Sequence, residues 1–217
     1  MGLPSGVMWS PVNIDVERPG GFARSPFQYD CSFFSWGNVD GHNPTGPSSF
    51  SPWDWGSVNA EEPWYDGQVY GDTPGDTLTS NIPVGEEFDA ARANLGPPWR
   101  MPTSEEFREL FANIIYIDAN GQEIDTSKTN KLVNVNGVFG LYLQSKINGA
   151  RLFFSCSGYG NGATRNYRSS WGLYWSSSME NSRNSYNLLF NSGIISAQSS
   201  YYGYRYHGFT IRPVMTL

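Results

Sequence analysis

The sequence has little charge, few cysteines and histidines, and no long apolar run, and each shortage excludes a class of protein. Charged residues make up 16% of the 217 positions, without the runs of Lys and Arg that follow a nucleic-acid backbone. No stretch reaches the length of a membrane-spanning helix. The opening MGLPSGVMW lacks the basic start and apolar run of a signal peptide. We therefore predict no nucleic-acid partner and no membrane insertion.

Cysteine and histidine are too sparse for most metal sites and catalytic arrangements. The cysteines, Cys31 and Cys156, and the histidines, His42 and His207, show no metal-ligand spacing. No Ser/His/Asp arrangement stands out either, so we predict no metal and no cofactor. A disulfide in an exported protein and two buried free thiols are both compatible with the two cysteines.

Aromatic side chains are abundant, also at 16%, and stand beside 24 Gly and 14 Pro. This composition is typical of a loop-rich globular protein, and the length fits a single domain over residues 1–217. The loop-rich part is 1–82, where we expect one strand at Val7–Asn13 and a short apolar segment at 31–38.

A tryptophan-rich stretch within 1–82 has two interpretations. Trp53, Trp55, Trp64 and Tyr65 could stack on sugar rings, but such clusters more often fill the core beneath long loops. Acidic residues in the segment YGDTPGDT could likewise join a calcium site. Their spacing matches no defined calcium loop, so turn-forming aspartates are favoured at Asp72 and Asp76.

Two helices are predicted in residues 83–116. The first has acidic residues in its opening turn and stops at Gly96-Pro97-Pro98. The second begins with a capping box formed by Thr103 and Glu106. Its apolar positions recur at helical spacing. The predicted buried positions are Phe88, Ala91 and Leu95 in the first helix and Phe107, Leu110, Phe111 and Ile114 in the second.

From residue 117 the pattern favours strands, with hairpins over 117–165 and a final strand in 208–217. Asn-Gly pairs at 120–121, 136–137 and 148–149 are hairpin turn signals. Two helices followed by many short strands predict an α+β fold. The later strands are expected at Leu173–Ser176, Tyr186–Phe190, Ile194–Ala197 and Phe209–Met215.

The end of the chain differs from the rest in charge and in tyrosine content. Residues 157–217 carry five Arg and a single acidic residue, Glu180, whereas 1–156 carry 9 Lys/Arg and 19 Asp/Glu. Either the arginines form a mildly basic binding face, or this part is mostly strands and polar loops. The segment SSYYGYRYH, residues 199–207, combines the residue types that antibody loops use for recognition. The competing interpretation is that its tyrosines pack on a sheet as half-buried aromatics.

A set of motifs resembles one known family. The segments GLPSGVMW, FFSWGN, DAARANLGPPWRMPTSEEFRELF, LFFSCSGY, WGLYWSSS, SYNLLFNS and GFTIRPV follow one another from Gly2 to Val214. In this order they resemble the Fibrobacter succinogenes major paralogous domain family of gut Bacteroidetes. The WRMPT and GF-x-x-RPV pieces are the most specific. The resemblance implies a C-type lectin-like fold, in which two helices pack on short antiparallel strands with long loops.

The resemblance also bears on catalysis and on variability. The formylglycine-generating enzymes, which share the shape of this fold, carry two reactive cysteines near its C-terminal end. This chain has no cysteine after Cys156, so we do not expect an enzyme. Other members of the fold are variable proteins of diversity-generating retroelements, which miscopy adenines at chosen codons. Mutation of Asn codons in this way never yields Lys, Glu, Gln, Met or Trp.

Three loop-like stretches contain none of these five residue types: Asn166–Ser170, Asn181–Asn184 and Ser199–His207. We therefore predict variable ligand-binding loops within 166–207. The expected function is recognition of a protein or glycan on a cell surface, by display on a bacterial surface or a phage virion, with oligomeric or multivalent presentation. The alternative is an invariant carbohydrate-binding or adhesin-tip domain of the same fold. The predicted contact residues are Asn166, Tyr167, Arg168, Ser169, Asn181, Arg183, Asn184, Tyr201, Tyr202, Tyr204, Arg205, Tyr206 and His207, where His207 is a contact or solvated side chain; the predicted scaffold is Trp171, Trp175, Phe190, Phe209 and Ile211.

Overall fold

The computed structural model describes residues 1–50, 81–83, 88–125, 130–181 and 184–216. These ranges form a mixed α+β structure that is mostly sheet, with two helices, so the predicted class is confirmed. The tryptophan-rich stretch, Asp72, Asp76 and Arg183 lie outside the described residues. Among the described residues no helix is long and apolar enough to span a membrane.

The helices are short and bounded by side-chain caps. Helix α1 spans Ala90–Leu95 and α2 spans Ser104–Ala112. A single 3-10 turn occurs at Pro19–Gly21. The strands, in chain order, are β1 (Met8–Trp9), β2 (Phe33–Phe34), β3 (Trp99–Arg100), β4 (Ile114–Tyr116), β5 (Val133–Val135), β6 (Val138–Ser145), β7 (Arg151–Ser155), β8 (Tyr159–Asn161), β9 (Thr164–Asn166), β10 (Gly172–Met179), β11 (Ser185–Phe190), β12 (Ile195–Ser199), β13 (Phe209–Thr210) and β14 (Val214–Met215).

The helix predictions are confirmed in type and corrected in extent. The Thr103 hydroxyl accepts the Glu106 N–H, and the Glu106 carboxylate accepts the Thr103 N–H, which is the predicted capping box. Helix α1 starts later than predicted, because Asp89 caps it by accepting the N–H groups of residues 91 and 92. Helix α2 ends before Ile114, which instead pairs with Ser145 as the first residue of β4.

The strands form four sheets. The largest has the order β12-β11-β10-β13-β2, antiparallel except for β10 beside β13. A second sheet has β6 in its middle, with β7 on one side and β4 and β5 on the other. Strand β14 lies between β1 and β3, and β8 pairs with β9. The predicted hairpins therefore form, with their turns at 136–137 and 148–149.

Two predicted strands are shorter than expected. Only Met8–Trp9 of the first is a strand, since Pro11 has no N–H to donate. The last is divided between two sheets, with residues 211–213 between its two parts, and Pro213 among them has no N–H to donate. The Arg212 side chain is fully buried, and its guanidinium donates to the Asn13 side chain at 2.6 Å and to the Phe153 carbonyl at 2.9 Å.

The five-stranded sheet is buried on both faces. Successive residues of β10 alternate, so that Leu173 and Trp175 pack in one apolar cluster and Tyr174 in another. Helix α2 and the β6 sheet cover the Tyr174 face, whereas α1 contributes Ala91 to the other face. Of the predicted scaffold residues, all but the half-buried Trp171 are buried. Connections lie at both ends of β10, before Gly172 and after Met179.

Candidate ligand-binding surface

The structure brings two of the three predicted loops into contact with the third, although the first two lie at opposite ends of β10. They are the β9–β10 connection (167–171), the β10–β11 turn (180–184) and the β12–β13 connection (200–208), here called the tyrosine loop. Asn184 bridges Tyr204 in antiparallel fashion, and the Ser185 N–H donates to the Gly203 carbonyl at 2.9 Å. The turn and the tyrosine loop are thus joined through their backbones.

An aromatic cluster joins the β9–β10 connection to the tyrosine loop. The Tyr159 ring lies 6.0 Å from Tyr167, 5.7 Å from Tyr202 and 4.8 Å from His207 between ring centroids. Tyr159 is buried at 7% exposure and belongs to β8, outside every predicted loop. No sequence signal separates it from an ordinary core tyrosine, and the prediction missed it.

Trp171 supports the same cluster from the start of β10. Its ring stacks on Tyr167 at 4.7 Å and 18°, and it meets Tyr202 edge-on at 5.4 Å. Tyr201 in turn lies edge-on to Tyr202 at 4.5 Å. The predicted scaffold role of Trp171 fits these contacts, since the tryptophan holds two tyrosines that come from different loops.

Backbone strain concentrates in these loops. Among the described residues, four non-glycine residues have positive φ, and three of them are Tyr167 at 54°, Ser169 at 67° and Tyr202 at 57°. A side chain in this region costs about 1–2 kcal/mol, and such strain persists where the surroundings determine the conformation. Here the Tyr167 carbonyl accepts the N–H groups of Ser170 and Trp171, and the Ser169 N–H donates to Cys156.

The outer face of the surface is tyrosine and small polar side chains. Tyr201 is 63% exposed, Tyr167 46% and Tyr204 37%. These rings project from a rigid support and present both apolar area and hydroxyl groups. Among the other predicted contact residues, Ser169 and Asn181 are exposed, whereas Asn166, Arg168, Asn184, Tyr202 and Tyr206 are half-buried.

Two predicted contact residues are wrong, because their side chains point into the protein. Arg205 is 2% exposed, and its guanidinium lies over the Trp36 ring at 4.5 Å. His207 is 3% exposed, so it is neither solvated nor a surface contact. The tyrosine loop mixes exposed, half-buried and buried side chains without a regular period, so its composition does not reveal which of them face the solvent. Arg205 and His207 support the loop from beneath.

Burial sets the protonation state of His207. Its Nδ1 lies 2.9 Å from the Tyr202 carbonyl oxygen, which can only accept, so Nδ1 carries the proton. Desolvation lowers the pKa of His207 to about 4, although the bond to Tyr202 acts in the opposite direction. A hydrogen bond with Tyr201 raises the pKa of the Tyr202 hydroxyl to about 12. Both groups are therefore neutral at pH 7.

The hypothesis of a basic binding face is corrected by the arginine positions. Of the five arginines after residue 156, Arg165, Arg205 and Arg212 are buried and Arg183 is not described. Arg168 is half-buried, lies over the Tyr29 ring at 4.3 Å and has its Nε 3.9 Å from the Asp30 carboxylate. The described surface is therefore close to neutral.

The cysteines are two buried free thiols, which was one of the two predicted outcomes. Burial raises the pKa of Cys31 to about 11 and that of Cys156 to about 12, so both stay protonated at neutral pH. Within the described ranges, no three His, Cys, Asp or Glu side chains come together as a metal site would require.

No family model, curated protein or solved structure matches the chain. The functional argument therefore comes from the geometry of the surface.

Proposed function

We propose that the chain is a C-type lectin-like recognition module that binds a protein or glycan on a cell surface through the tyrosine loop and its two neighbours. The supporting observation is spatial. The tyrosine loop contacts both of the other loop-like stretches that lack the five residue types, through the Asn184–Tyr204 bridge on one side and the rings of Tyr159 and Trp171 on the other.

We further propose that the exposed positions are the variable positions of a diversity-generating retroelement target, displayed on a phage or a bacterial surface. The mixture of exposed and buried side chains in the tyrosine loop supports this division. Tyr201 and Tyr204 are exposed, whereas Arg205 and His207 are buried. The resemblance to the Fibrobacter succinogenes major paralogous domain family is part of the same proposal.

Deep sequencing of this gene and its flanking DNA across the source population tests the variability. We expect substitutions to concentrate at Tyr167, Ser169, Tyr201 and Tyr204, at positions that are adenines in a nearby template repeat. The codons of buried residues such as Trp175 should stay constant. If the loop codons vary no more than the strand codons, the chain is an invariant lectin-like domain with one ligand.

A binding experiment tests the recognition role directly. Arrays of glycans and cell-surface proteins are probed with the wild type, with Tyr204→Ala and with Phe139→Ala. Phe139 is a matched control, since it is 40% exposed against 37% for Tyr204 but belongs to β6. We expect Tyr204→Ala to weaken the captured ligand about tenfold or more and Phe139→Ala to leave it unchanged. Equal effects of the two variants would contradict this binding surface.

A further inference from the structure

Two polar side chains at the start of β11 are buried beneath the tyrosine loop without a protein partner. Asn187 has no exposed surface, and neither its amide nitrogen nor its amide oxygen has a hydrogen-bond partner among the described residues. The Ser185 hydroxyl, equally buried, is in the same situation. Buried polar groups in proteins are almost always hydrogen-bonded, and a buried group without a hydrogen bond costs its full desolvation penalty in stability.

These two side chains share one face of the strand and lie under one point of the loop. Residues 185 and 187 are two apart in β11, so they point the same way. Asn187 has Trp175 and Ser199 as its cross-strand neighbours. A Cβ added to Gly203 would lie 2.9 Å from the Asn187 amide nitrogen and would also contact the Ser185 carbonyl oxygen. The backbone of the tyrosine loop therefore lies against the Asn187 amide and the backbone of Ser185.

The chemistry of the groups determines what can join them. Asn187 offers donors and an acceptor, and Ser185 offers a hydroxyl that can do either. An ion would need a compensating charge, and an apolar molecule would leave the amide and the hydroxyl without hydrogen bonds. Water donates and accepts, and it is small enough for a site enclosed by two strands and a loop.

We propose that an ordered water molecule binds to the Asn187 amide and the Ser185 hydroxyl and so holds the Asn187 side chain in place beneath Gly203 of the tyrosine loop. Asn187 is then a positioning residue for the loop. This inference does not depend on the proposed ligand or on variability, because it concerns the interior side of the loop.

A crystal structure of the whole chain, at a resolution that shows ordered water, tests the site directly. We expect density for a water molecule within hydrogen-bond distance of the Asn187 amide and the Ser185 Oγ. A direct hydrogen bond from the amide to a protein group would overturn the proposal, as would close packing at this position with no water molecule.

A double-mutant cycle tests the same site in solution, with Asn187→Leu, Ser185→Ala and the pair. If water joins the two side chains, Asn187→Leu lowers the melting temperature by about 3 °C or more. The double variant then loses less than the two single variants together. If the Asn187 amide and the Ser185 hydroxyl have no hydrogen-bond partner, Asn187→Leu raises the melting temperature, since it removes the desolvation penalty of the amide. Ser196→Ala, in the neighbouring strand at a half-buried position, is the control.

Hydrogen exchange separates positioning of the loop from general stability. The Ser185 N–H closes the contact to Gly203, so its exchange rate reports opening of the loop. We expect Asn187→Leu to speed exchange at Ser185 several-fold while the N–H of Leu143 in β6 keeps its rate. Equal acceleration at both positions would show a structural role only and would contradict positioning.

Discussion

The β6–β7 hairpin and the tyrosine loop both connect strands, but they are held in different ways. In the hairpin, the Ser145 N–H donates to the Ala150 carbonyl, and the Asn148 side chain accepts the Ala150 N–H. Two bonds of this hairpin are longer in range, from the Lys146 N–H to the Asn113 carbonyl and from the Ser145 hydroxyl to the Met1 carbonyl. The tyrosine loop has local turns too, and more of its support is distant, since its backbone bonds reach Trp36, Ser185 and Gly160 and its rings contact Tyr159 and Trp171.

The difference concerns how far the shape of a loop depends on its own residues. A turn held by local bonds depends on its own residue types, so a change in sequence changes the turn. The tyrosine loop has partners from four other parts of the chain, among them the buried Tyr159 and the half-buried Trp171. The proposed variability requires that these partners, more than the exposed rings, maintain its shape.

The largest expected effect comes from substituting two glycines of almost equal φ, one packed against the β9–β10 connection and one in the β6–β7 turn. Gly158, at φ 74°, is enclosed by the β9–β10 connection, and a Cβ there would collide with the Asn166 carbonyl and lie 2.8 Å from the Arg168 nitrogen. Gly149, at φ 73°, has nothing within 4 Å. We expect Gly158→Ala to lower the free energy of unfolding by about 3 kcal/mol or more. Gly149→Ala should cost about 1 kcal/mol from backbone strain alone.

Urea denaturation of both variants measures these costs, and near-ultraviolet circular dichroism reports the tyrosine environment. We expect the dichroism signal to change in Gly158→Ala only. An equal loss of unfolding free energy in the two variants would mean that the β9–β10 connection accommodates a side chain as easily as the hairpin turn does. The comparison between local and long-range support would then fail.

Acid provides a second and somewhat smaller perturbation of the long-range support, through His207. The unfolded chain takes up a proton near pH 6.5, whereas the folded chain does so only near pH 4. The unfolded state therefore binds more protons between these values, and stability falls as the pH falls through this window. The shift corresponds to about 3 kcal/mol at most. Below pH 4 this contribution no longer changes.

His207→Gln should remove this part of the pH dependence, as measured by urea denaturation between pH 7 and pH 4. His42 needs a parallel variant, since burial also lowers its pKa to about 4. We expect the His42→Gln protein to keep the part of the pH dependence of stability that comes from His207. An unchanged pH profile in His207→Gln would show that the histidine does not stay neutral in the folded protein.

The smallest effect is expected where support is local, at the start of α2. Thr103→Ala removes the hydroxyl that accepts the Glu106 N–H at 3.1 Å. The expected cost is about 1 kcal/mol, seen as a lower urea midpoint, while the dichroism of the tyrosines stays the same. Thr103→Ser keeps the hydroxyl and should restore most of the loss. A change in the tyrosine signal on Thr103→Ala would contradict the local nature of this support.

The elements that sequence reasoning predicted correctly are those with a local cause. The capping box of Thr103 and Glu106, the Asn-Gly turns and the alternating strands all depend on residues a few positions apart. The boundaries were less accurate, because Ile114 fits the helical period but is taken by pairing with β6. Long-range hydrogen bonding between strands overrides the weak helical preference at this position.

The candidate surface stays a prediction, and the structure corrects some of its details. Composition and a resemblance selected the three loops, and the structure shows the tyrosine loop in contact with the other two. Arg205 and His207 were assigned to the outer face because Arg and His are common in recognition loops. Which side of an irregular loop faces the solvent has no period, so only contacts with Trp36 and Tyr202 reveal it.

By itself the sequence determined the α+β class, the turns, the helix cap and the scarcity of cysteine and histidine, because these follow from residue type and short spacing. The tertiary structure alone decided that Tyr159 lies at the centre of the aromatic cluster, that Arg165, Arg205 and Arg212 are buried, and that Asn187 lies beneath the tyrosine loop. The physical reason is the same in each case. Burial and pairing depend on which distant residues meet, and loop-rich segments carry no periodic pattern that would encode those meetings.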